Sequence, residues 1–81
     1  MKIELTKTAL KQLSKLPRSE AKKIDRKLHE LENNPFSAKK LEGKLKDRYV
    51  IRAWPYRIIY VIVGNVKIQI ETIEHRQGVY K

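Results

Sequence analysis

Ile3 and Leu5 alternate with Lys2 and Glu4, the period of a half-buried strand, so residues 2–5 are expected to form a short first strand. The period then changes. Ala9, Leu10, Leu13 and Leu16 recur at helical spacing until Pro17, which cannot continue a helix. Thr6 or Thr8 can cap that helix, because a threonine hydroxyl accepts a bond from an otherwise unpaired backbone N–H. From Arg18 the stripe Ala21, Ile24, Leu28 and Leu31 predicts a second amphipathic helix, ended by Asn33-Asn34-Pro35. Residues 33–46, broken by Pro35 and Gly43, read as a connector. Three strands are expected after it, roughly Asp47 to Ala53, Tyr56 to Val63 and Val66 to Ile73, separated by the turn pairs Trp54-Pro55 and Gly64-Asn65. Neither helix can bury its stripe alone. The order β-α-α-β-β-β therefore predicts one α+β domain over residues 1–81, with two N-terminal helices on one face of a mostly antiparallel four-stranded sheet.

Strand parity assigns the faces. Val66, Ile68 and Ile70 should face the helices, together with Tyr56, Ile58, Tyr60 and Ile62 of the preceding strand. A three-residue loop, Val63-Gly64-Asn65, brings both sets to one face, with Asn65 in a left-handed conformation. The earlier strand then buries Tyr49, Ile51 and Ala53 and turns Val50, Arg52 and Trp54 outward. If the Trp54-Pro55 loop has even length, Arg52 and Arg57 share the open face, directly opposite or diagonally. Like charges so opposed are destabilising by roughly 0.2–1 kcal/mol, which suggests an anion held between them or a solvated pair splayed apart.

Composition narrows the partners. The 19 Lys and Arg residues against 9 Asp and Glu give a formal net charge of +10. The excess is spread evenly, with 11 basic and 6 acidic residues in 1–43 and 8 and 3 in 44–81. Such a field favours a polyanion, with nucleic acid leading and an acidic protein partner as the alternative. The absence of cysteine excludes disulfides, thiolate metal sites and a cysteine nucleophile, and fits a reducing cytoplasm. No run approaches the ~18 consecutive apolar residues of a membrane helix, and the N-terminus lacks the apolar core of a secretion signal.

The last eight residues, "EHRQGVYK", continue from the final strand beside the open face. Arg76 and Tyr80 can therefore join Arg52 and Arg57. Three guanidiniums and a phenol suit cleavage of a phosphodiester, since arginine matches phosphate oxygens and stays charged as the transition state gathers negative charge. An RNA substrate supplies its own nucleophile in the 2′-hydroxyl. No cofactor is required, and no carboxylate cluster is evident that would hold a metal. Tyr80 or His75 could accept the 2′-hydroxyl proton, and Arg52 could neutralise the leaving 5′-oxygen. His29, between Leu28 and Glu30, should be solvated. Trp54 could stack on a base or pack on Pro55 or a partner. Ile59 and Val61 on the open face imply a cover, either a partner segment or the chain's own tail.

Over nearly its whole length, at "LEGKLKDRYVIRAWPYRIIYVI" followed by "EHRQGVYK", the chain resembles the RelE/ParE superfamily of toxins, and within it the RelE-like branch. The resemblance implies a toxin of a type II toxin–antitoxin system: a ribosome-dependent, metal-independent mRNA endoribonuclease acting in the A site. It implies a cognate antitoxin as partner, with the toxin monomeric or within a heterotetramer. By position, Arg57 resembles the family's phosphate-binding arginine, Arg76 its second arginine and Tyr80 its C-terminal catalytic tyrosine. Arg52 falls where relatives carry a basic proton donor, and Lys44, Lys46 and Arg48 match a stretch that grips ribosomal RNA. The role of His75 differs between branches. Val50 stands where some relatives have lysine, and only Lys81 follows Tyr80, leaving no C-terminal helix. The rival expectation is a ParE-like inhibitor of DNA gyrase, which generally lacks the arginine and terminal tyrosine set.

Overall fold

The computed structural model describes residues 1–36 and 48–75 and the backbone of residues 39–40. Strand β1 (Lys2–Leu5) leads into helix α1 (Lys7–Ser14) and helix α2 (Arg18–Asn33); strands β2 (Lys39–Lys40), β3 (Arg48–Ala53), β4 (Tyr56–Val63) and β5 (Lys67–His75) follow. The sheet order is β1-β5-β4-β3-β2, with β1 parallel to β5 and every other pairing antiparallel. The expected α+β order thus stands, with four long strands. The fifth, β2, falls in the expected connector and pairs Lys39 with Val50 and Lys40 with Tyr49. Two residues are too few to leave a periodic pattern in the sequence.

The core forms on one face of the sheet. Ala9 of α1 and Ile24, Leu28 and Leu31 of α2 are buried against Ala53, Tyr56, Ile58, Tyr60, Ile68, Ile70 and Ile73. Leu10 is 58% exposed; it lies about 100° around the helix from Ala9, off the stripe that faces the sheet. Val66 is also outside the core, at 69% exposure. The loop has the expected three residues but runs one position later, from Gly64 to Val66. Gly64 (φ 58°) and Asn65 (φ 57°) are both left-handed, and Val66 N–H donates to Val63 O at 3.1 Å. Two successive positive φ angles mark a type I′ turn, whose twist matches that of the flanking strands.

Strand β5 changes phase within its length. Tyr60 pairs with Ile70 but Ile59 pairs with Thr72, so Glu71 is an extra residue, a β-bulge. Before it the even residues Ile68 and Ile70 are buried; after it the odd residue Ile73 is. The bulge lies where β1 ends. Thr6 N–H donates to Ile70 O (3.1 Å), and Thr6 Oγ1 donates to Glu71 O (2.9 Å) while accepting from Ala9 N–H (3.1 Å). One threonine therefore caps α1 and also satisfies the bulged carbonyl. Beyond β1, Gln12 of α1 continues this cover, its Oε1 accepting Ile73 N–H at 2.6 Å. The uncovered edge of β5 is met by helix side chains instead of a strand.

Thr6→Ala removes the cap and leaves a part-buried carbonyl unpaired, so it should lower unfolding stability by about 1–3 kcal/mol in urea titrations. Thr6→Ser should retain most of that stability, and Thr8→Ala, at an exposed position, should change little. Equal losses at Thr6 and Thr8 would contradict this assignment of the cap.

Tyr60 fixes the other end of the core. It is fully buried, its hydroxyl donates to Pro35 O at 2.8 Å, and its ring meets Tyr49 edge-on at 5.5 Å. Burial, with a smaller contribution from Tyr49, pushes its phenol up from the ordinary 10.0 to about 12. The folded state thus keeps a proton that the unfolded chain loses. This part of the stability is complete below about pH 10 and is lost as pH rises toward 12. Tyr60→Phe should cost about 1 kcal/mol at neutral pH through the missing hydrogen bond. It should also flatten the decline in stability between pH 10 and 12, read from denaturant midpoints across that range.

Candidate nucleic acid interface

The sheet face away from the helices carries a row of charge across three strands. Arg52 pairs with Arg57, and Arg57 in turn pairs with Glu74. Both arginines therefore lie on one face, directly opposite each other, as parity required. Arg52 is exposed, while the side chains of Arg57 and Glu74 are 33% and 30% accessible. Toward the middle of the face come the half-buried Val50, Ile59 and Val61, and then Arg48 on β3. Four residues of strand separate Arg48 from Arg52, about 13 Å at 3.3 Å per residue.

Glu74 is the local counter-charge. Arg57 Nη2 donates to Glu74 Oε1 at 3.1 Å, and Thr72 Oγ1 donates to Oε2 at 3.1 Å. The guanidinium engages the carboxylate through one nitrogen rather than as a two-pronged fork. Its Nε is buried and has no partner among the described residues. A single-contact pair one-third open to solvent is worth about 0–1 kcal/mol, so another anion can compete for Arg57. Beside it lies a shallow cavity of about 520 Å³ bordered by Thr8, Arg48, Ile59, Thr72 and Glu74. Arg48 is held only loosely there, with Nη2 3.9 Å from Glu71 Oε1.

The bulge separates His75 from the arginines. His75 pairs with the buried Tyr56, and the two rings meet edge-on at 5.1 Å on the side of the sheet that the helices cover. Burial raises the Tyr56 phenol above its ordinary value, with a further push from the Glu20 carboxylate on α2. Simple alternation along β5 would have put His75 on the arginine face and Ile73 opposite Arg57; the extra residue Glu71 turns His75 to the helix side and sets Glu74 opposite Arg57. Arg76, Tyr80, Lys44 and Lys46 lie outside the described residues. Glu74 and Thr72 were not singled out from the sequence. Their signal was Ile73, an apolar residue out of phase with Ile68 and Ile70.

The remaining expected features are elsewhere. His29 is exposed on α2 between Asp25 (3.5 Å) and Glu32 (3.4 Å), and Trp54 is 64% exposed at the β3–β4 turn. Among the described residues no group of three or more His, Cys, Asp or Glu side chains gathers to hold a metal, and no helix is long and apolar enough to cross a membrane.

Comparison with known proteins places this arrangement in a class. The family model described as the ParE toxin of the type II toxin–antitoxin system, parDE, matches residues 3–80. The chain is 34% identical over 85 residues to RelE1 of Methanocaldococcus jannaschii, covering 98% of the chain and 93% of that protein. Among solved structures, the RelBE2 toxin–antitoxin complex of Mycobacterium tuberculosis matches with a TM-score of 0.83 and 26% identity, over 93% of this chain and 96% of that one. The isolated RelE toxin of E. coli matches with a TM-score of 0.80 and 26% identity, over 91% and 82%. The chain belongs to the RelE/ParE superfamily of type II toxin–antitoxin toxins, and its fold is that of RelE.

Two opposed arginines lower the stability of the sheet that holds them. Arg52→Gln should leave the free protein as stable or more stable by up to about 1 kcal/mol, with the gain shrinking as salt is added. A loss above that amount in thermal or urea unfolding would show that Arg52 makes a favourable structural contact instead.

Proposed function

We propose that this toxin is a ribosome-dependent endoribonuclease that cleaves messenger RNA in the ribosomal A site through attack of the substrate's own 2′-hydroxyl, without a metal, and so stops translation. The observation that carries this reading is the row Arg52-Arg57 on an open sheet face, which leads by way of β5 to the segment containing Arg76 and Tyr80. Arg57, held on the central strand β4, grips the scissile phosphate. Arg76 adds a second positive charge as the pentacoordinate phosphate gathers negative charge. Arg52, exposed and opposite Arg57, offsets charge on the leaving 5′-oxygen. Tyr80 completes the site at the reacting oxygens. His75, turned toward Tyr56, is not assigned to the chemistry.

The net charge of +10 suits a ribosomal RNA surface, with Lys44, Lys46 and Arg48 proposed as phosphate contacts. A cognate antitoxin is proposed as the protein partner, as in the M. tuberculosis complex. The half-buried Val50, Ile59 and Val61 on the open face are consistent with such a cover. The M. tuberculosis and E. coli relatives named above are a RelBE2 complex and a RelE toxin, which favours the nuclease over gyrase inhibition.

The test is a reconstituted translation reaction on a defined message, with new 5′ ends mapped by primer extension. Cuts should appear only on translated message. Removing one group that stabilises the transition state costs about 10²–10³ in rate, so Arg57→Ala and Arg76→Ala should cut at least a hundredfold more slowly. Tyr80→Phe should also be slower. Cuts on ribosome-free RNA would remove the ribosome from the mechanism. A folded protein that makes no cuts would overturn the nuclease reading and make DNA supercoiling by gyrase the next assay.

A further inference from the structure

The geometry of the open face points to Glu74 as the general base of this site: a carboxylate that rests on Arg57 in the free toxin and takes the 2′-hydroxyl proton once the scissile phosphate has taken its place. This inference rests on the endoribonuclease reading above and names the proton acceptor that the reading lacks. A phenol with the ordinary pKa of about 10 is almost wholly protonated at neutral pH, so Tyr80 is a poor acceptor there. Arginines are always charged and accept nothing. His75 faces the helix side with Tyr56. Among the described residues, Glu74 is the carboxylate in direct contact with either arginine of the row.

Its setting fits the role. Glu74 is held at two points, by Arg57 Nη2 on Oε1 and by Thr72 Oγ1 on Oε2, both at 3.1 Å. The Arg57 contact is a single one and leaves Nε without a partner among the described residues, so a phosphate bearing two free oxygens is the better ligand for the guanidinium. When phosphate takes Arg57, the Thr72 hydroxyl still anchors Oε2. Oε1 is then released within a hydrogen bond's reach of the group that displaced it. The nucleotide 5′ to the scissile phosphate carries its 2′-hydroxyl against that phosphate. The step balances as follows. The 2′-O–H bond breaks and its proton passes to Glu74, the 2′-oxygen bonds to phosphorus, and the P–O5′ bond breaks to leave a 2′,3′-cyclic phosphate. The 5′-oxygen, its charge offset by Arg52, takes a proton from solvent water.

The experiment compares wild type, Glu74→Gln and Thr72→Val on programmed ribosomes under single-turnover conditions. A second arm measures binding to a message blocked at the scissile site by a 2′-O-methyl group. A general base is worth about 10²–10⁴ in rate, so Glu74→Gln should cut at least a hundredfold more slowly. It should bind the blocked message as tightly as wild type or more tightly, because the internal competitor for Arg57 is gone. Thr72→Val, which frees the carboxylate from its anchor, should lower the rate with binding unchanged. A Glu74→Gln protein with the wild-type rate would overturn the assignment, as would a slow variant whose only defect is weaker binding. If Glu74→Gln does not fold, a Thr72→Val protein that cuts at the wild-type rate overturns it instead. An inactive wild type, run in parallel, would overturn the nuclease reading together with this inference.

Discussion

The bulge at Glu71 is the constraint on which the two faces of the sheet depend. A strand that alternates strictly would carry Glu71 and Ile73 outward and Thr72 and Glu74 inward, placing two polar side chains in the core and an isoleucine in water. The extra residue reverses that assignment for residues 72–75 alone. It is stable because Thr6 supplies what the ladder lacks: its hydroxyl donates to the bulged Glu71 carbonyl while the same oxygen accepts the first free N–H of α1. A local backbone irregularity, a helix cap and the end of a parallel strand pair are thus a single hydrogen-bonded cluster. Perturbing any part of it moves the register of the residues that border the arginines.

The helix side and the open side of the sheet follow different rules as a result. Every buried residue in the core is hydrophobic, and no buried polar or charged residue interrupts it among those described. The open face sets Arg52 against Arg57, leaves Arg57 Nε without a partner among the described residues, and keeps Ile59 and Val61 half-exposed. Stability is concentrated in one layer, which allows the other to hold an arrangement that is locally unfavourable. Departures from locally consistent structure of this kind tend to mark functional surfaces, and here they fall together in one small region.

Much of this was readable from residue order. The strand at Lys2–Leu5, a threonine cap at Thr6 or Thr8, the two helices and the sharing of one face by Arg52 and Arg57 follow from spacing and parity, because each rests on contacts between near neighbours or on strict alternation. What escaped did so for a physical reason in each case. Strand β2 is too short for any periodicity. Val66 was assigned by alternation to a strand that begins only at Lys67, since Gly64 and Asn65 both take left-handed conformations and the three-residue loop runs one position later. His75 and Glu74 exchanged faces because a bulge adds one residue to the count. The only local hint was the out-of-phase Ile73, and the Thr6 hydroxyl that stabilises the bulge comes from 65 residues away.

The exchange of His75 for Glu74 also alters what the row of charge can do. Strict alternation would set Ile73 opposite Arg57 and turn Glu74 inward, so nothing beside that arginine would oppose an approaching phosphate. With the bulge the same face contains its own anion, already seated on the guanidinium that a phosphate would seek. Binding then becomes an exchange of one oxyanion for another, which discriminates against weak or poorly placed anions more than a bare cationic surface does. Two adjacent arginines would attract any polyanion. An arginine that must first release a tethered carboxylate favours one that presents two oxygens to the guanidinium in the right plane. On the proposed reading, selectivity for a particular phosphate would depend on the strand register as much as on the number of positive charges.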